Sequence, residues 1–373
     1  MALFQNSHLS ILKLGYNNLG DEGVKILAPG IASHKALASL DLGFNNIGDH
    51  GCRALATALS SCKVHTLYLS GNLIGEDGAY ALAGVIRRSI KRLHLTGNRI
   101  GPDGVKAIAE AVIGEQEEND VGEKGFYQEK HSLDYAVSPG MPVSSGLQEL
   151  FLGGTGMGRI GCEAVARMLE CTTTIRVLSL ANCAIGDTEL EFLAASIKRN
   201  REKLPLEALQ LSFNEITCKG LNSLMNAIWG STTLRELLLD NNDIRDRGAE
   251  QVAAILPHMK TLEVLDLGFN SIKSSGMRML MKVVAETNHL VSLSVSGNPI
   301  DTAAAKLVAY ALAYNKSLKS LSLVHCSIDH GGQRHIAAGI VSNRAIALRK
   351  LSGFSLGRKL SSYCSWVFLW SLL

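Results

Sequence analysis

One pattern recurs so regularly along this 373-residue chain that it limits what the chain can become. Residues 37–47 read LASLDLGFNNI. The same frame, L-x-x-L-x-L-x-x-N-x-I with a Gly four residues on, opens at Leu9, Leu37, Val64, Ile90, Leu147, Ile175, Leu206, Leu234, Leu262, Leu290 and Leu318. All intervals but one lie between 26 and 31 residues; Ile90 to Leu147 is 57. A unit this short cannot bury its own apolar side, so eleven copies in series must stack over a continuous core. Length therefore counts layers, and residues 1–373 read as a single domain with repeats from 9 to about 345.

Within a copy, L-x-x-L-x-L alternates apolar and variable positions, the period of a short strand with one buried face. The following CRALATAL sets Ala54, Leu55, Ala58 and Leu59 at helical spacing, with Asp49 at the positive end of that helix. Pro102 suits a first helical turn. Asn17, Asn45, Asn72, Asn98, Asn214, Asn242, Asn270 and Asn298 fall where the chain leaves the strand, and a short amide can both donate to and accept from backbone buried there. Stacked copies predict an asparagine ladder, weakened where Thr155, Cys183 and Cys326 replace the amide. The Gly after each loop, missing only at Glu189 and Ala304, lets the helix start approach the next layer. Tyr16, Phe44, Phe213 and Phe269, each just before the ladder residue, are expected to pack over the turn.

Aromatic residues make up 5% of the chain while hydrophobic residues reach 46%, as expected when Leu, Ile and Ala fill repeated slots. A net charge of +3 argues for neither nucleic acid nor membrane as partner. Eight cysteines include no C-x-x-C and mostly occupy repeat-equivalent places, Cys52 with Cys162 and Cys62 with Cys171. They read as small residues in a reducing compartment. With no charged and apolar leader at the start, the expected location is cytoplasmic or nuclear. The sequon Asn315 to Ser317 is within chance.

No chemistry emerges from the motifs. GGTGMG at 153–158 occupies the loop of the fifth copy and is a weak phosphate signal. His330 and His335 lack a third ligand, so neither metal nor cofactor is expected.

The array breaks twice. Residues 114–146, between the fourth and fifth copies, carry seven acids against two lysines and no L-x-x-L-x-L frame. They read as an acidic insertion loop, either disordered or a partner-binding flap anchored by Phe126, Tyr127, Leu133, Tyr135 and Met141. Residues 346–373 hold a degenerate last repeat, with Leu348 and Leu351 in frame but Gly353 where a third Leu belongs, and a hydrophobic tail too short to span a bilayer. Caps normally show a polar outer face, so this tail reads as foreign to the fold. Nothing polar precedes the first copy at Leu9, and the far end is equally bare. That leaves an oligomer or a longer parent chain open.

Repeats of the form LxxLxLxxNxIGDxGxxxLAxAL, as in residues 37–59, closely resemble the ribonuclease-inhibitor subclass of leucine-rich repeat proteins. The resemblance implies an α/β solenoid, a horseshoe of about 11 repeats of about 28 residues, with parallel strands on the concave face and helices on the convex face. It implies a non-enzymatic scaffold that binds a partner protein along the concave sheet. The family also includes the Ran GTPase-activating protein, sensing regions of immune receptors and DNA-repair scaffolds, and these stand as alternatives. No Arg here matches the activator's catalytic motif, and a hydrophobic tail replaces its acidic one.

In such a horseshoe the residue between the second and third Leu of each copy faces a partner. Copies three to five set Tyr68, His94 and Phe151 side by side, flanked by His65, Lys91 and Arg92. Copies eight and nine present Arg235, Glu236, Asp240, Glu263 and Asp266. The candidate partner-binding residues are Tyr68, Lys91, Arg92, His94, Phe151, Arg235, Asp240 and Asp266. Solvated strand faces collect polar residues in any case; aromatic rings beside cations set this one apart.

Overall fold

The computed structural model describes residues 8–114, 146–343, 348 and 350–353. Within them, three-residue strands alternate with helices. The chain falls into two compact units, Met1–Val177 and Leu178–Leu373. The first contains β1 (Ile11–Lys13), α1 (Gly20–Ser33), β2 (Ser39–Asp41), α2 (Asp49–Leu59), β3 (Thr66–Tyr68), α3 (Glu76–Ile86), β4 (Arg92–His94), α4 (Gly101–Ile113), β5 (Glu149–Phe151) and α5 (Gly158–Cys171). After β6 (Val177–Ser179), the second contains α6 (Asp187–Arg199), β7 (Ala208–Gln210), α7 (Cys218–Ile228), β8 (Glu236–Leu238), α8 (Arg245–Ile255), β9 (Val264–Asp266), α9 (Ser274–Glu286), β10 (Ser292–Ser294), α10 (Thr302–Tyr314), β11 (Ser320–Ser322), α11 (His330–Ser342) and β12 (Lys350–Ser352). A short 3-10 turn, Leu256–His258, follows α8.

The strands pair in parallel and in chain order, β1 to β5 in the first unit and β7 to β12 in the second. The register sets equivalent frame positions opposite each other, as in Leu40↔Leu67↔Leu93↔Leu150 and Leu237↔Leu265↔Leu293↔Leu321. These leucines are buried, and helices of successive repeats pack beside one another behind them. Every second strand residue is thereby left on the open face, because side chains alternate along a strand.

The asparagine ladder forms. Asn45 Oδ1 accepts the N–H of Asn17 at 2.9 Å and of Leu19 at 3.2 Å, while its amide donates to Leu14 O at 2.7 Å. Asn298 does the same for Asn270 and Ile272. At the weakened rungs only donation survives: the hydroxyl of Thr155 donates to Leu152 O at 2.7 Å, and the thiol of Cys326 to Val295 O at 3.4 Å.

The loop glycine does make room, but for the preceding repeat rather than the next one. A Cβ on Gly51 would lie 2.6 Å from Asp21 Oδ1 and 3.0 Å from Asp21 Cα. The acid in that gap explains why. Asp49 starts α2 as expected, yet its carboxylate reaches onward, accepting the N–H of Gly75 at 2.7 Å and of Gly78 at 3.0 Å at the start of α3. Asp21, Asp187 and Asp246 likewise bind the following repeat. Asp301 and Asp329 instead cap their own helices, through the N–H of Ala304 and of Gly332. Pro102 occupies the first turn of α4.

The expected breaks fare differently. The acidic insertion and its proposed anchors lie outside the described residues. So does most of the hydrophobic tail, but the degenerate frame before it builds β12, with Leu351 opposite Leu321. Gly353 supplies a φ of +76°, which a leucine there would adopt at a cost of about 1–2 kcal/mol.

Candidate functional site

Register alone assembles the aromatic row. Tyr68 pairs with His94 and His94 with Phe151, each from the middle frame position of its strand. Residues 115–145 do not disturb this, since β4 and β5 pair directly on either side of them. Adjacent strands lie about 4.8 Å apart, close to the separation of stacked rings. The Tyr68 and His94 rings stack at 4.4 Å with planes 26° apart, and those of His94 and Phe151 at 4.1 Å and 11°. All three are half-buried.

Burial, reinforced by the neighbouring Arg92 guanidinium and opposed by Asp41, pulls the His94 imidazole down to a pKa of about 4. It is therefore neutral at physiological pH. Arg92 pairs with Glu149 at 3.1 Å across the strand gap, and half of its side chain stays exposed. Lys91 is exposed at the start of β4, where its carbonyl accepts the N–H of Gln148 at 2.8 Å. The five expected residues of the first unit thus share one face.

The remaining three sit in the second unit. Arg235 is taken up by Glu263 in an exposed ion pair. Asp240 receives the hydroxyl of Ser212 and the amide of Asn241. Burial raises the Asp266 carboxyl above the ordinary range; the N–H of Gly268 and the Ser294 hydroxyl oppose this, and the nearby Asp240 charge adds to it. This face is acidic and rich in hydroxyls, without the stacked rings of the first unit.

Two features escaped the sequence reading. The residue before each ladder position takes a left-handed backbone, with φ of 63° at Tyr16, 56° at Phe44, 57° at Phe213 and 53° at Phe269. Tyr16 stacks on Phe44 at 4.4 Å, and the Phe44 ring lies against Gly71, so these rings do pack over the turns, although 46–77% of their surface remains exposed. The signal was the glycine at the same frame position in other copies.

The second feature is a further polar ladder, where helices give way to strands. Asn315 donates to Val284 O at 2.7 Å and Thr287 O at 3.0 Å, and accepts from the N–H of Ser317 and Leu318. Asn343 repeats the donation to Leu312 O and Asn315 O. Asn315 is buried, with its amide consumed, which closes the sequon to glycosylation.

A family model described as Leucine Rich repeat matches residues 5–28, 36–56, 60–83, 88–109, 204–225, 230–253 and 258–281. No curated protein is matched by the sequence. Among solved structures, an internalin of Listeria monocytogenes is similar at 16% identity and a TM-score of 0.48, covering 94% of this chain and 88% of its own. The second actin-binding site of leiomodin-1 is similar at 22% identity and a TM-score of 0.32, covering 37% of this chain and 78% of its own. Neither likeness says what this chain binds.

Proposed function

We propose that this leucine-rich repeat solenoid is a non-enzymatic scaffold that binds a partner protein along its strand face. Tyr68, His94 and Phe151 form the anchor, Lys91 and Arg92 its charged flank, and Arg235, Asp240 and Asp266 further contacts on the second unit. The aromatic row carries the reading. The core is already filled from the same strands by Leu67, Leu93 and Leu150, so the fold has no need of three rings on the open side. Half-buried aromatic residues beside cations are the composition of binding hot spots.

The period near 28 residues and a helix in each described repeat support assignment to the ribonuclease-inhibitor-like type. Cys52, Cys62, Cys162, Cys171, Cys183, Cys218 and Cys326 are all free thiols, which supports a reducing compartment, cytoplasmic or nuclear. No helix among the described residues is long and apolar enough to cross a membrane.

Affinity purification with the full chain tests the reading. A protein retained by the wild type and lost by Tyr68→Ala/Phe151→Ala, at an unchanged circular dichroism spectrum and melt, is the expected outcome. Equal retention by the folded variant overturns it.

A further inference from the structure

The ring row says more than that something binds; its geometry selects a chemistry. Centroid separations of 4.4 and 4.1 Å leave no room for another planar group between Tyr68, His94 and Phe151. Rings stacked along neighbouring strands turn their edges, not their faces, away from the sheet. An aromatic edge is the positive end of the ring quadrupole, so oxygen atoms are favoured there, whereas cations prefer faces.

The borders of the row agree. On one side stand His65, Lys91 and Arg92, held in step by backbone bonds from Lys91 and Arg92 to His65 O at 2.7 and 3.0 Å. The nearby acids are engaged, Glu149 with Arg92 and Asp41 with the N–H of Gly43. Lys91 has no ion-pair partner among the described residues. On the other side, the turn position that carries a ring at Phe44 is glycine in these repeats, Gly71 and Gly97 at φ of 68° and 73°. The row is therefore an open shelf, cationic along one border and bare along the other.

Building on the proposed protein-binding role, we infer that this shelf takes an extended acidic segment of the partner. Its carboxylates meet Lys91 and Arg92, and its backbone oxygens and an apolar side chain lie along the ring edges. Nucleic acid is the other anionic polymer to consider. Single strands gain their affinity from bases stacking on free aromatic faces, and here the rings cover one another.

The test is selection of random linear peptides displayed on phage against the folded full chain, with counter-selection on Tyr68→Leu/Phe151→Leu. The expected peptides are rich in Asp and Glu. A fluorescein-labelled member should lose about tenfold or more in affinity with Lys91→Glu/Arg92→Glu, both exposed, at an unchanged melt. Should that reversal unfold the chain, Lys91→Gln/Arg92→Gln is read instead and must weaken binding in the same direction. Ring-dependent peptides that are neutral or basic overturn the acidic inference while leaving protein binding standing. A selection that yields no ring-dependent peptide overturns both. Ring-dependent binding of labelled poly(dT) tighter than of the best peptide overturns the inference in favour of a nucleic acid.

Discussion

The ring of Phe269 occupies the space above Gly297 so closely that a Cβ on that glycine would fall inside the ring's van der Waals envelope. Phe44 stands in the same relation to Gly71. Gly297 also has a φ of +70°, so Gly297→Ala combines left-handed strain of about 1–2 kcal/mol with a displaced ring. A total cost of about 2–3 kcal/mol is expected by urea denaturation. In a Phe269→Ala background only the backbone part should remain, so the two changes should couple by about 0.5 kcal/mol or more. Strictly additive costs would show that the ring does not rest on that turn.

Replacing Asn298 with Ala should be among the more damaging single changes. Its Oδ1 accepts two backbone N–H groups, from Asn270 at 3.1 Å and Ile272 at 2.9 Å, and its amide donates to Leu267 O and Val295 O. All of these are buried, and each unpaired buried group costs about 1–3 kcal/mol. A loss of about 3 kcal/mol or more is expected. A loss below about 1 kcal/mol in chemical denaturation would mean that the ladder is incidental.

His94 makes stability depend on pH in a definite direction. Its folded pKa of about 4 lies below the ordinary value of 6.5, so between those values the unfolded chain binds more protons than the folded one. The stabilisation is present in full above the ordinary value and is lost as the pH falls towards 4. Melting temperature measured across this window should fall more steeply for the wild type than for His94→Phe, which keeps a stacked ring but cannot titrate. Parallel curves would place the imidazole in a more solvated setting than the stack implies.

The sequence made the repeat legible because its signals are local and redundant: period-2 leucines, a ladder amide, a helix at fixed offset. The aromatic row was legible as well, since parallel pairing in register turns equal frame positions into neighbours. What the sequence hid was which layer a side chain serves. Asp49 reads naturally as a helper of α2, whose first residue it is, and only the stacking shows its carboxylate bound to Gly75 and Gly78 of the following repeat. Asn315 was hidden for a related reason. It matches a glycosylation sequon in one dimension, whereas in three its amide is consumed by Val284 O and Thr287 O of the preceding repeat.

That bridging between layers gives Asp187 a measurable role. Burial alone would raise its carboxyl, but the Thr217 hydroxyl and the N–H groups of Thr217 and Gly220 outweigh it and hold the pKa below the usual range. Asp187→Ala should cost about 1–2 kcal/mol, as for a lost helix cap. Because the folded pKa is depressed, the acid's contribution is present above the ordinary carboxylate value and fades as the pH drops through the folded one. The variant should therefore match the wild type in strong acid and differ from it at neutral pH, in melts at the two conditions. A difference that persists in acid would assign the effect to packing.

Leu265 tests whether energy in this fold is shared or local. It lies at the centre of β9, in register with Leu237 and Leu293, and is almost wholly buried. Leu265→Ala removes several buried methyl groups from a packed layer and should cost about 2–5 kcal/mol. In a stack where each repeat touches only its neighbours, the loosening should concentrate in β8, β9 and β10 and decay along the strands beyond them. Hydrogen exchange of the backbone amides reads this directly: protection should drop around Leu239, Leu267 and Val295 and change little around Leu14 and Leu42. A uniform loss from β1 to β12 would mean that the array unfolds as a single cooperative block, with the layers too strongly coupled for any one of them to loosen alone.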